Sequence, residues 1–272
     1  MENNYDKIVE LYHLMNDDEK LLKVFYANDY PVPYKSLTLY PVQVDLYYYF
    51  HMLVECLLLP HKTSGDAKAI SMSYLKYLCY LCTEKQQAQH IIFLSELLQI
   101  VLRKNKKYID KDGKEKPTIE INLDKGLLII EGTALNGSDF DNIRKIILEQ
   151  NSVELPDEDI NPELVKAFKE LEDYKLKQCQ TKMCSFEDQI NIIAAKSSYK
   201  RHEIMRMTIR SFSRLLERVD RIMDYEIKSL LSPYLDKKDK IVHYAENTEK
   251  TFKERCQESF NDIDALRNKI EG

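Results

Sequence analysis

The sequence predicts a mainly α protein with a small β-hairpin (α+β), organised as multi-helix N- and C-terminal units. Three observations carry that reading. Apolar residues recur every three or four positions through most of the 272 residues. Polar–apolar alternation reads as strand only around 36–40 and 118–131. Glycine is scarce, at 6 residues, which argues against folds that need glycine-rich phosphate loops or many tight turns. The expected divisions are 1–103, an N-terminal helical unit with a short strand; 104–151, a hairpin plus a helix; and 152–272, a C-terminal helical unit.

The elements follow in order. Ile8, Leu11, Tyr12 and Met15 fall at helical spacing, and Pro31 and Pro33 end any helix before them. Ser36 to Tyr40 alternates and reads as a short strand. Pro41 opens a long apolar stretch, Val42 to Leu59, predicted as five turns of largely buried helix because its tyrosines cover more than one face. After a loop at 62–66, Ser71 or Ser73 caps a helix running to Cys82. Thr83 then caps another, with Glu84 in its first turn, through Leu94, Leu97, Leu98 and Val101. The charged stretch 104–117 reads as a solvated loop and boundary. Asp124-Lys125-Gly126 between two apolar runs is the clearest hairpin signal. Ser138 starts a helix with Asp141 at the capping-box position and Phe140, Ile143, Ile146 and Ile147 inward. The acidic run 154–159 reads as a linker. Helices alone follow: one capped by Asn161 with Pro162 first; Phe186 to Ala195 capped by Ser185; Tyr199 to Met205; Ile209 to about Leu231 capped by Thr208; and, after Pro233, a last one carrying Phe252, Cys256, Phe260, Ile263, Leu266 and Ile270.

Charge and motifs narrow the chemistry. Lys plus Arg is 40 and Asp plus Glu 45, a net charge of −5, so any nucleic-acid contact must use a local basic face. No run of about 18 apolar residues predicts a membrane-spanning helix. With no secretory leader at the N-terminus, the six cysteines are expected to be reduced thiols. Cys79-x-x-Cys82 lies in an apolar helix without a second pair, which favours core cysteines over zinc or dithiol exchange. Asp110-x-Asp112-Gly113 suggests a calcium loop, but its twelfth position is Ile121, not Glu, so it reads as a solvated turn. His51 reads as a core histidine. Dinucleotide, P-loop, zincin and Gly-x-Ser-x-Gly signatures are absent. The expectation is therefore a non-enzyme with no catalytic residue, no metal and no cofactor.

The sharpest local signal is basic. Arg206, Arg210, Arg214 and Arg218 recur every four residues and are joined by Arg221, Lys200 and Arg201. On one helix they form a cationic stripe opposite Ile209, Phe212, Leu215, Leu216, Val219 and Ile222. Arg206, Arg210, Arg214, Arg218 and Arg221 are the candidate partner-docking residues. The alternative is a nucleic-acid-associated regulator that uses the basic helix 200–221 on phosphates. Nearby acids, and the lack of aromatic residues between the arginines, weigh against base stacking.

Two stretches together carry a resemblance. The first runs from Leu37-Thr38-Leu39-Tyr40-Pro41-Val42 through Tyr47-Tyr48-Tyr49-Phe50 to Ile70-Ser71-Met72-Ser73-Tyr74-Leu75. The second is Ser185-Phe186-Glu187-Asp188-Gln189-Ile190 followed by Met207-Thr208-Ile209-Arg210-Ser211-Phe212 and Leu215-Leu216-Glu217-Arg218. Both resemble tail and baseplate-hub assembly proteins of tailed bacteriophages. Those proteins commonly begin with a short strand, a proline and an apolar helix, and end in a helix with a Met-Thr-x-Arg-x-Phe-like turn. The resemblance implies a virion component or assembly factor, found in the particle or the bacterial host cytoplasm. Its implied partners are other virion or assembly proteins or copies of itself, and no membrane. It implies no catalytic motif.

Overall fold

In the computed structural model, helices α1 (Asn4–Leu14) and α2 (Glu19–Ala27) open the chain. The structure describes residues 4–15, 18–62, 66–155, 184–232 and 241–246, with single positions at 168, 170, 171, 174, 254 and 255. The expected helix at 161, the break at Pro233 and nearly all of the expected last helix lie outside the described residues. The chain divides into two compact units, one of Met1–Pro156 with Met205–Ser213, the other of Asp157–Ile204 with Arg214–Gly272. The protein is mainly α with small antiparallel sheets.

In the first unit, α1 docks through aromatic edges: Tyr12 is buried, and both Tyr5 and Tyr12 meet the Phe25 ring edge-on. Leu11 and Met15, expected on the apolar face, remain exposed. Helix α2 was not anticipated from the sequence. Asp18 caps it by accepting the Lys20 amide at 2.6 Å. The predicted strand at 36–40 is β2 (Leu37–Leu39), and its partner is β1 (Val32–Tyr34), with Val32 opposite Leu39 and Tyr34 opposite Leu37. A strand holding Pro33 is tolerated because this sheet has only two strands.

The five-turn helix expected over Val42–Leu59 is corrected to α3 (Tyr47–Val54), flanked by single 3-10 turns at Val44–Leu46 and Glu55–Leu57. The reason is competition for backbone groups. At the front, Val44 N–H donates to the Met207 carbonyl and Ile209 N–H to the Val42 carbonyl, so Gln43 stays extended. At the back, Arg144 Nε takes the Leu57 carbonyl at 2.8 Å and the Tyr74 hydroxyl takes that of Cys56 at 3.0 Å. The helix is also less buried than expected. Phe50, Leu53 and Val54 face the core, whereas Tyr48 is 68% exposed.

A short α4 (Ala67–Ile70), capped by Asp66, precedes α5 (Tyr74–Thr83) and α6 (Gln89–Leu102). Ser73 stands at the α5 cap position, but its side chain makes no capping bond. Thr83 ends α5 instead of capping α6. Its hydroxyl donates back to the Cys79 carbonyl, and Gln86, at φ 58°, turns the chain so that Gln87 N–H closes on Leu81. The apolar set of α6 is as expected, with Leu94, Leu97, Leu98 and Val101 buried. Helix α6 is the hub of this unit, packing on α3, α5 and β2.

The expected loop 104–117 forms an exposed hairpin, β3 (Lys107–Ile109) with β4 (Glu115–Pro117). Ion pairs Lys107–Glu115 and Lys116–Asp110 support it without any core of its own. The next hairpin stands where predicted, β5 (Ile119–Asn122) with β6 (Leu127–Ile130). A third strand, β7 (Thr133–Leu135), follows a two-residue turn at Glu131 and Gly132, both at positive φ, which suits the twist of a tight hairpin. Helix α7 (Gly137–Gln150) begins one residue before Ser138, because Asn136 and Asp139 form the capping box. Phe140, Ile143, Ile146 and Ile147 are buried as predicted.

In the second unit, α8 (Phe186–Lys196) carries the predicted Ser185–Asp188 capping box. It is followed by α9 (Arg201–Arg206), whose last two residues, Met205 and Arg206, belong to the first unit, and by α10 (Ile209–Leu231). Residues 209–213 of α10 belong to the first unit, and from Arg214 the helix belongs to the second. Ile190, Ile193, Ile204 and Val219 are the buried apolar residues of α8, α9 and the second-unit part of α10.

Candidate functional site

Helix α10 exists because of its first turn. Thr208 Oγ1 accepts the Ser211 amide at 3.1 Å, the predicted cap. Thr208 Oγ1 and Ser211 Oγ both donate to the Asp29 carboxylate at 2.6 Å. Ile209 and Phe212 are buried, and the Phe212 ring meets Tyr47 edge-on. Residues 207–212 are therefore built into the first unit by main chain, cap and core together.

The five candidate arginines separate accordingly. Arg206 lies on α9, ahead of the Met207-Thr208 break, and is exposed. Arg210 Nη1 donates to the Glu149 carbonyl at 2.7 Å, and its guanidinium lies 5.5 Å from the Tyr26 ring centroid. Arg210 is thus a brace inside the first unit. Arg214, Arg218 and Arg221 share one face of the second-unit part of α10, opposite Val219 and Met223. Arg218 Nη1 donates to the Tyr244 carbonyl at 2.7 Å, and Arg221 Nη1 to the Glu246 carbonyl at 3.1 Å. Arg221 also pairs with Glu217 one turn earlier. Arg201 lies apart, held by Glu187 and Asn191 of α8.

Sequence reasoning missed the aromatic part of this face. Tyr225 continues the row, four residues after Arg221 and seven after Arg218, a spacing the sequence does show. His243 and Tyr244 join it from beyond Pro233, which nothing in the local sequence foretells. Tyr225 lies 5.0 Å from His243 and 5.5 Å from Tyr244, and His243 lies 4.3 Å from Tyr244.

The other singled-out residues do not join this face. Cys79 is buried and Cys82 partly so, both on α5. Burial, then the neighbouring Cys82, pushes the Cys79 thiol up to about 11, and burial pushes Cys56 to about 12. Such thiols are poor nucleophiles at neutral pH. The Asp110 carboxylate accepts the amides of Asp112 and Lys114 and pairs with Lys116, so it closes the β3–β4 turn. His51 is half-buried against Tyr47 and Phe50, and burial lowers its pKa. Among the described residues, no group of His, Cys, Asp or Glu is arranged to hold a metal ion, and no helix is long and apolar enough to cross a membrane.

Fold and site together define a mainly helical protein with a cationic and aromatic face on the second-unit part of α10. Residues 177–249, about a quarter of the chain, match the family model of the YomV second domain. That family is phage-associated. No curated protein and no solved structure matches the chain.

Proposed function

We propose that this chain is a bacteriophage virion structural or assembly protein of the tail or baseplate region, which works by protein–protein contacts and not by catalysis. The observation that supports the reading is the match of residues 177–249 to a phage-associated domain family. The resemblance of the 37–75 and 185–218 stretches to tail and hub assembly proteins points the same way. The docking residues in this reading are Arg214, Arg218 and Arg221 on the second unit and, separately, Arg206 on the first, while Arg210 serves as an internal brace. Arg206, Arg214 and Arg218 are exposed, and such arginines favour contacts with acidic surfaces, where charge complementarity speeds encounter and selects partners. The partners are other virion or assembly proteins, or further copies of the chain, in the particle or in the host cytoplasm.

Mass spectrometry of purified particles and of assembly intermediates tests this. The expected result is recovery of the chain in one or both, with tail, hub or baseplate proteins captured alongside it. Absence from particles and intermediates alike would overturn the reading.

A further inference from the structure

We propose that the face formed by Arg214, Arg218 and Arg221 with Tyr225, His243 and Tyr244 binds single-stranded nucleic acid. The rings stack on bases and the guanidinium groups meet phosphates. It shares Arg214, Arg218 and Arg221 with the assembly reading but rests on a different observation, side chains that the sequence keeps apart and the fold brings together.

The geometry suits that chemistry in three ways. First, the three rings lie within 5.5 Å of one another by centroid, and His243 and Tyr244 are exposed. Aromatic platforms bind bases with little regard to sequence, since every base has a stackable face. Second, the cations adjoin the rings. Arg218 and Arg221 hold the segment that carries the rings through the carbonyls of Tyr244 and Glu246. The Arg218 bond uses Nη1, and a guanidinium has five donors, so further N–H groups remain for an anion. Third, the acids nearby are placed to the side. Glu217 is paired with Arg221 and Asp224 with Lys228, each one helical turn apart, so part of each acid's charge is offset within the helix. Asp220 lies about 100° round the helix from Arg221 and about 160° from Arg218. The overall charge of −5 disfavours coating of nucleic acid by the whole surface, so contact has to be local.

A duplex fits less well, because its bases are already stacked and its grooves call for an element that enters them. Stacking separates the two cases experimentally. The full chain is titrated into labelled oligothymidine of about 16 nucleotides, and in parallel into oligouridine of the same length and a duplex, at about 50 mM salt. Saturable binding to a single strand, tighter than to duplex, is expected, and the two single strands tell DNA from RNA. Tyr244→Ala should weaken binding about tenfold, and Tyr244→Phe should restore it. Arg218→Ala should weaken binding and flatten its dependence on salt. Both side chains are exposed, and unchanged helical circular dichroism confirms folding. Tyr225→Ala serves as a further variant on the helix itself. Undetectable binding to every strand, equal affinity for duplex, or indifference of affinity to Tyr244→Ala with Tyr225→Ala would each overturn the proposal.

Discussion

Asp29 shows how a single residue fixes a helix from a distance. It sits at φ 55°, the left-handed region, and accepts both hydroxyls of the α10 first turn. Asparagine keeps an acceptor and tolerates that backbone; glycine keeps only the backbone; alanine keeps neither. Stability should fall in the order Asn, Gly, Ala, over a range of about 1–2 kcal/mol, read from urea midpoints. Asp139 supplies the pH dependence. Burial opposes its charge, but Lys35, the Asn136 amide and the Tyr34 hydroxyl together outweigh burial and hold the carboxyl below its ordinary value. A depressed carboxyl contributes fully above the unfolded aspartate value of about 3.9, and loses that contribution as pH falls through the folded value. The acid limb of the unfolding profile should therefore flatten in Asp139→Asn. A limb of unchanged steepness would remove Asp139 from the account. Among the described cysteines, the exposed Cys184 should alkylate in the native state, while Cys56 and Cys79 should react only on unfolding.

Helices with a local start signal and a one-sided apolar stripe were legible in the sequence; those whose ends are decided by distant side chains were not. α8 and α10 carry Ser185 and Thr208 at their caps, and both begin where those residues predict. α3 has an apolar run long enough for five turns, yet the Val42 and Val44 bonds to Ile209 and Met207 hold Gln43 extended at its front, and at its back Pro60 has no amide to donate to the Cys56 carbonyl, which the Tyr74 hydroxyl takes instead. The β3–β4 hairpin was unreadable because its charged strands bury nothing, and periodicity reports burial alone. At α7 the sequence pointed to Ser138 as the start, and Asn136, two residues earlier, forms the cap instead. Asn136→Ala should cost about 1 kcal/mol, and Ser138→Ala close to nothing. Gly137 adds a steric test in the same turn. A Cβ there would lie 2.5 Å from Ser73 Oγ and 2.7 Å from its Cβ. Gly137→Ala should destabilise by about 1–3 kcal/mol, and Ser73→Gly should recover part of that loss. Equal costs in the two Ser73 backgrounds would show that the clash is relieved elsewhere.

At the scale of the whole molecule, the division of the arginine row was the hardest feature to foresee. A four-residue repeat looks like one surface in the sequence. The fold puts Arg206 on a separate helix, turns Arg210 onto Glu149 and sets Arg218 and Arg221 against the segment that brings His243 and Tyr244 to Tyr225, with Arg214 one turn earlier on the same face. The cause is that the first unit is assembled from two stretches of chain, with Met205–Ser213 returning after some fifty intervening residues. Ile209 and Phe212, legible as the apolar side of an amphipathic helix, are core residues of that unit. This yields a sharp contrast between two neighbours on α10. Phe212→Ala should cost about 3–5 kcal/mol, as for a buried aromatic truncated to a cavity. Arg218→Ala, exposed, should stay within about 0.5 kcal/mol. Hydrogen exchange at the α6 and α7 amides reads the difference, because Leu94, Leu98 and Ile147 lie in the first unit's core. Faster exchange there in Phe212→Ala and not in Arg218→Ala is the expected result. Protection unchanged in Phe212→Ala would mean that the returning segment rests on the first unit without completing it.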